Sequence, residues 1–163
     1  MLQAVRHAGA ASVVVCDLNP KRLELAASLG ATHTLLVDDM QFLRLHKLNP
    51  QGYDVVADVT GIPTVVEQTF KYVRARGKIW IFGVCPPNVK VSFIPYDIFR
   101  KDLTIVGSFA VNRTFQESIA LLQSGDVKVE PLISHQLPLE EFRVGLELAE
   151  TAPERMKVQF KIC

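Results

Sequence analysis

Two patterns of apolar residues alternate along this chain. Short runs dominated by aliphatic and β-branched residues occur at 12–17, 32–37, 53–59, 78–82 and 103–106, and they read as strands of the kind buried on both faces. Between them, apolar residues recur at helical spacing. Residues 2–8 read as the end of a helix stopped by Gly9, since glycine suits a left-handed C-cap. Asn19 and Pro20 open the next helix, with Pro20 fitted to its first position; Leu23, Leu25, Ala26 and Leu29 form its buried stripe, and Gly30 ends it. Further helices are predicted over 40–48, 63–74 (Val65, Val66, Phe70 and Val73 inward), 114–124 and 139–149. Two segments alternate like strands with one wet face: 89–93, and the last stretch, where Met156, Val158, Phe160 and Ile162 share a side.

Strands alternating with helices of this length specify βαβ units, and so an α/β fold with a doubly wound parallel sheet. At 163 residues the chain fits one domain, 1–163, with no repeat, linker or low-complexity segment. Eighteen basic and seventeen acidic residues leave a net charge of +1. Without a basic block, the electrostatic attraction behind nucleic-acid binding is missing, and no nucleic-acid partner is expected. No apolar run nears the roughly 18 residues of a membrane span, and no signal-peptide pattern follows Met1, so a cytoplasmic location without a membrane partner is expected. Cys16, Cys85 and Cys163 lack metal or disulfide spacing and read as reduced, mostly buried thiols.

In doubly wound sheets ligands bind beyond the carboxyl ends of the strands, so the residues closing each strand are the informative ones. Asp17 closes the first complete strand. Its carboxylate can accept two hydrogen bonds from a ribose diol and would repel a 2′-phosphate, favouring NAD over NADP; the alternative is a cap for the following helix. Thr60-Gly61, Gly83-Val84 and Gly107-Ser108 follow later strands, where glycine lets a ligand approach the backbone. Each glycine alone also reads as a turn residue; their recurrence points to one shared crevice.

The residues from Gly9 to Leu35, then the D-V-x-x-D-x-T-G segment Asp54–Gly61, the G-V-x-P-P segment Gly83–Pro87 and the stretch Ile98–Phe109 resemble the medium-chain, zinc-type alcohol dehydrogenase family, nearest its sorbitol, arabinitol and threonine dehydrogenases. The similarity runs over nearly the whole chain and implies a Rossmann-type nucleotide-binding domain. Position by position, it implies that Asp17 binds the adenosine ribose, that Leu18 lies against adenine, and that Arg22 stands beside that ribose. It implies that Val59, Thr60 and Gly61 pass under the cofactor and that Phe82, Gly83 and Val84 reach the nicotinamide carboxamide. Ser108 and Ala110 belong to the next such segment, and Lys157 to the pyrophosphate. Arg22 and Lys157 also read as solvated surface charges.

The family's G-x-G-x-x-G turn, which rests a pyrophosphate on a helix N-terminus, is absent: none of the nine glycines stands two residues from another. The resemblance therefore implies a sheet lacking its first strand and glycine-rich loop, in a chain that starts inside the first helix: a fragment, a truncated gene model or a degraded chain. Two strand edges are then expected to lack partners. Residues 132–163 resemble the segment that returns toward the family's catalytic domain. The family's zinc ligands lie in that domain; His7, His33, His46 and His135 have no ligand partners at metal spacing, so no metal ligand and no catalytic acid or base is assigned.

The implied parent activity is oxidation of a secondary alcohol or polyol to a ketone with NAD, the isolated chain being inactive. A homodimer or tetramer is implied too, joined through an edge matching 89–93 and 103–106, with Ile94, Ile98 and Phe99 beside it. Two other readings are a non-catalytic nucleotide-binding or dimerisation module and a methyltransferase-type α/β domain, against which the G-V-x-P-P segment argues.

Overall fold

The computed structural model describes residues 1–109 and 113–162. They divide into two compact units: residues 1–37 with 113 onward, and residues 38–112. Every strand pair in both is parallel.

In the first unit, helix α1 (Leu2–His7) precedes strand β1 (Val14–Asp17), helix α2 (Pro20–Ser28) and strand β2 (His33–Leu36). β1 pairs with β2 in a register that sets Asp17 opposite Leu36. Asn19 caps α2, its side-chain oxygen accepting from the Lys21 N–H, and Pro20 takes the first turn. Leu23 and Ala26 form the buried stripe of α2, as the spacing predicts. Helix α6 (Phe115–Gln123) follows, then strand β6 (Ile133–Pro138), helix α7 (Phe142–Thr151) and strand β7 (Lys157–Lys161). (α3 to α5 and β3 to β5 belong to the second unit.) β6 and β7 make a separate two-stranded sheet.

Gly145 of α7 fixes how that sheet meets its helix. A Cβ there would run into the Phe160 ring and come within 3.2 Å of Leu137 Cδ1. Phe160 is itself held by Phe142, the rings 5.2 Å apart, and has little room to retreat. Gly145→Ala is expected to destabilise the protein by about 1–3 kcal/mol through overpacking, in spite of alanine's better helix propensity. Urea denaturation checks it: a midpoint equal to or above that of the parent protein refutes the packing argument.

The second unit holds helix α3 (Gln41–Leu48), strand β3 (Tyr53–Asp58), helix α4 (Pro63–Tyr72), strand β4 (Val73–Ile81), helix α5 (Pro95–Lys101) and strand β5 (Thr104–Gly107), with sheet order β3-β4-β5. Ile79, in the middle strand, is fully buried, and Val66, Val73 and Leu45 complete the core. The register aligns Asp58 with Ile81 and Ile81 with Gly107, so all three strands finish at one end of the sheet.

Several expectations need correction. Residues 89–93 form no strand: the Ser92 N–H donates to Glu67 Oε1 at 2.7 Å, the Val89 N–H closes a turn onto the Pro86 carbonyl, and flanking prolines remove further donors. The alternation there reflects packing, with Phe93 stacked on Phe70 at 5.3 Å. Helix α4 stops at Tyr72 rather than Arg74, and β4 starts at Val73 instead of Lys78, through an irregularity in which Arg76 takes a φ of 60°. Strand β6 and helix α5 were not legible in the pattern. Cys16 is exposed and Cys85 half-buried, contrary to the expected burial; Cys163 lies outside the described residues. Among the described residues, β1 and β3 each pair along one edge only.

Candidate functional site

In the first unit, Asp17 ends β1 beside a cavity of about 540 Å³ lined also by Arg22, Ala149, Arg155, Met156, Lys157 and Val158. The turn out of β1 divides the work of its two carboxylate oxygens. Oδ1 accepts the Asn19 N–H at 2.8 Å, tightening the step from strand to helix. Oδ2 lies 3.9 Å from Arg22 Nη1 and keeps its other lone-pair directions free. Asp17 thus braces the turn through Oδ1, while the cap of α2, the alternative weighed for this residue, belongs to Asn19. Arg22, one turn into α2, also donates from Nη2 to the Arg155 carbonyl at 3.2 Å. Its Nε is buried with no partner among the described residues. Leu18 stands 74% exposed next to Asp17, a bare apolar side chain of the type that packs against a flat ring. Lys157, distant in sequence from Asp17 and Arg22, is brought to the same cavity. One carboxylate in a cavity lined by three cationic side chains, Arg22, Arg155 and Lys157, has the charges to meet a diol and an adjoining phosphate.

In the second unit, the aligned strand ends release Val59–Gly61, Phe82–Val84 and Ser108 from the same end of the sheet. Asp58, 1% exposed, organises them: its carboxylate accepts from the Thr60 N–H (3.0 Å), the Thr60 hydroxyl (2.7 Å) and the Gly61 N–H (3.1 Å). Its carbonyl accepts the N–H groups of Phe82 and Gly83, both at 2.9 Å. Asp58 was not singled out from sequence, although the second acid of D-V-x-x-D-x-T-G was the available signal. Two of the glycines also have a packing reason of their own. A Cβ on Gly83 would lie 2.7 Å from Asp58 Oδ2 and 2.8 Å from the Thr60 nitrogen, and one on Gly61, whose φ is +68°, would strike the Val84 backbone. The two loops interlock backbone to backbone, so packing alone demands both glycines. Gly107 differs: nothing lies within 4 Å of the position its Cβ would take. Val59, Phe82 and Val84 stay exposed beyond the strand ends. Ser108 accepts a 2.6 Å hydrogen bond from Trp80 Nε1, and Trp80 meets Phe82 edge to face, ring centroids 5.5 Å apart. Ala110 lies outside the described residues.

The sequence profile of the family described as zinc-binding dehydrogenase matches residues 1–124. The chain belongs to the zinc-binding dehydrogenase family. Among relatives of this dehydrogenase chain, D-altritol 5-dehydrogenase of Agrobacterium fabrum is 35% identical over 157 residues, covering 96% of this chain and 45% of the relative. Sorbitol dehydrogenase of Bacillus subtilis is 32% identical, covering 90% and 42%. A zinc-binding dehydrogenase of Sinorhizobium meliloti, solved bound to NADP, superposes with a TM-score of 0.86 at 28% identity, over 96% of this chain and 47% of its own. The chain thus spans about half the length of the curated relatives it matches, and its α/β architecture is that of their nucleotide-binding domains.

A catalytic zinc needs three protein ligands at close range with one position open. No group of three or more His, Cys, Asp or Glu among the described residues is placed to hold a metal ion. His7 faces Asp126 (3.2 Å), His46 stacks on Phe42 and His135 meets Ser134 Oγ (2.9 Å), so each is occupied locally. The described residues do not fit a zinc site.

Proposed function

We propose that this zinc-binding dehydrogenase chain binds NAD and serves as the nucleotide-binding part of an enzyme that oxidises a secondary alcohol or polyol to a ketone. The observation that carries this reading is the Asp17 carboxylate, with one oxygen open to a cavity that Arg22 and Lys157 also line. A ribose diol donates two hydrogen bonds and matches that acceptor. A 2′-phosphate would bring two negative charges against it, which favours NAD over NADP. Arg22 and Lys157 balance the charge of the cofactor's phosphates. In the second unit, Val59, Thr60, Gly61, Phe82, Gly83, Val84 and Ser108 are the supports expected for the nicotinamide end. The nicotinamide supplies the hydride acceptor; these residues bind and orient it and exclude water. Alcohol specificity and zinc chemistry are left to residues other than those described. The exposed Cys16 thiol and half-buried Cys85, both unpaired, suit a reducing, cytoplasmic compartment.

The same reading carries an oligomer. β5 is exposed along its whole length at the edge of its sheet, with Phe99, Ile94 and Tyr96 exposed on and before α5. An open, apolar edge invites pairing with a second copy. A homodimer or tetramer is the proposed state, and sedimentation at micromolar concentration as a clean monomer contradicts it.

The direct test of the cofactor uses the chain's only tryptophan. Trp80 contacts two of the proposed nicotinamide supports, Phe82 and Ser108. Titrating NADH while exciting the indole is expected to quench its emission and to sensitise nicotinamide emission, with a dissociation constant in the micromolar range. Calorimetry with NAD gives the affinity independently. Absence of both quenching and heat at millimolar cofactor would refute nucleotide binding and leave a structural or dimerising role.

A further inference from the structure

We infer that Asn19 is a positioning residue that ties the segment between α7 and β7 to the ribose-facing turn, so that Asp17 and Lys157 are set as one unit. The inference rests on the nucleotide-binding reading for its consequence and on hydrogen bonds for its content. Asn19 uses three polar groups at once. Its N–H donates to Asp17 Oδ1 at 2.8 Å, orienting the carboxylate. Its side-chain Oδ1 accepts the Lys21 N–H at 2.9 Å, capping α2. Its Nδ2 donates to the Pro153 carbonyl at 3.2 Å, reaching across 134 positions in sequence.

The segment it reaches carries Arg155, Met156 and then Lys157, the first residue of β7. That segment has few ties of its own. The Arg155 N–H and guanidinium both close back onto the Ala152 carbonyl, at 3.2 and 2.8 Å, and the Met156 N–H donates to Ser134 Oγ at 2.9 Å. Arg22 adds a second bond from α2, to the Arg155 carbonyl. Two side chains at the start of α2 therefore bracket residues 153–155, and a serine of β6 holds the next. A carboxamide is needed for this. Asp or Ser at position 19 would cap the helix equally well, but neither carries the oxygen acceptor and N–H donor together in Asn's geometry. The N-cap explains a small polar residue at 19; the Pro153 bond explains why an amide.

The test compares Asn19→Ser with Asn19→Ala in the full chain, following amide exchange and cofactor affinity separately. Serine keeps the cap, so Asn19→Ser should melt within about 2 °C of the parent, while Asn19→Ala should melt several degrees lower for want of a cap. In Asn19→Ser the Arg155 and Met156 amides should exchange about fivefold faster, the equivalent of losing one ordinary hydrogen bond, with α2 amides unchanged. NAD should bind about fivefold more weakly to the same variant. Unchanged exchange at Arg155 and Met156 overturns the tie outright, whatever the cofactor does. Faster exchange with unaltered NAD affinity overturns the coupling to the site. If the parent chain binds no NAD, the nucleotide reading fails while the exchange result still decides the tie.

Discussion

Asp58→Ala is expected to lower stability by about 3–5 kcal/mol, a fall in melting temperature of about 10 °C or more for a chain of this size. The side chain is almost fully buried and accepts three hydrogen bonds from two successive residues. Truncation leaves the buried Gly61 N–H and the part-buried Thr60 N–H without their acceptor, and an unpaired buried donor costs about 1–3 kcal/mol. Water is poorly placed to replace the carboxylate, because Gly83 already fills the adjoining space backbone to backbone. Asp58→Asn separates the two contributions. The amide keeps one acceptor but turns an N–H₂ group toward donors, so about half the loss is expected, with Thr60 or Gly61 unpaired. Thermal melts followed by Trp80 fluorescence report the global loss and the local one together, since Trp80 touches Phe82 of the interlocked loop. A melting temperature within 2 °C of the parent for Asp58→Ala would show that the strand-end loops hold their shape by glycine packing alone.

That residue also marks where sequence reasoning stopped short. Strands β1, β2, β3 and β5 were legible because short apolar runs carry their own signal, and four of the five helices predicted after the first strand kept their bounds within about two residues. The fifth, residues 139–149, begins as a 3-10 turn, Leu139–Glu141, before α7. What was not legible depends on partners distant in sequence. β6 is six residues ending in proline, with serine, histidine and glutamine inside it, and exists as a strand because β7 pairs with it. Residues 89–93 alternate well but lose their ladder to a glutamate side chain and a turn. At the candidate site, the position of Asp17 at the end of β1 was legible, because it closes an apolar run. Asn19 was read only as the start of a helix; it is the cap, and its bond to Pro153 has no local signature. Asp58 was hidden for the opposite reason: an acid inside an apolar strand reads as an interruption until its three donors are seen. The glycines at 61 and 83 carry a packing requirement that the sequence did not reveal, since their own neighbouring backbones exclude a side chain.

The second large effect concerns which nucleotide the first unit prefers. Asp17→Ala is expected to weaken NAD by about 30- to 150-fold, equivalent to roughly 2–3 kcal/mol for two charge-assisted hydrogen bonds from a ribose diol. Binding of NADP should move the other way, by about tenfold, for an electrostatic reason. Removing the carboxylate removes the charge that opposes a 2′-phosphate, and it frees Arg22 Nη1, now 3.9 Å from Asp17 Oδ2, to meet that phosphate. Lys21, exposed one residue before Arg22, adds a second cation at the start of α2, where the helix dipole also favours an anion. The NAD-to-NADP preference should therefore change by about 300- to 1,500-fold, roughly 3.4–4.3 kcal/mol, more than either single affinity changes. Asp17→Asn divides the effect: it abolishes the charge while keeping one acceptor, so NAD should fall by only about tenfold and NADP should gain nearly as much as in the alanine variant. The Asn19 N–H loses its Oδ1 partner in the alanine variant but keeps it in the asparagine one. A structural cause would thus appear as a lower melting temperature in Asp17→Ala alone. Competition between the two cofactors, each displacing NADH from the Trp80 signal, measures the ratio directly. Equal preference in parent and variants would remove the ribose assignment, and with it the reason for choosing NAD.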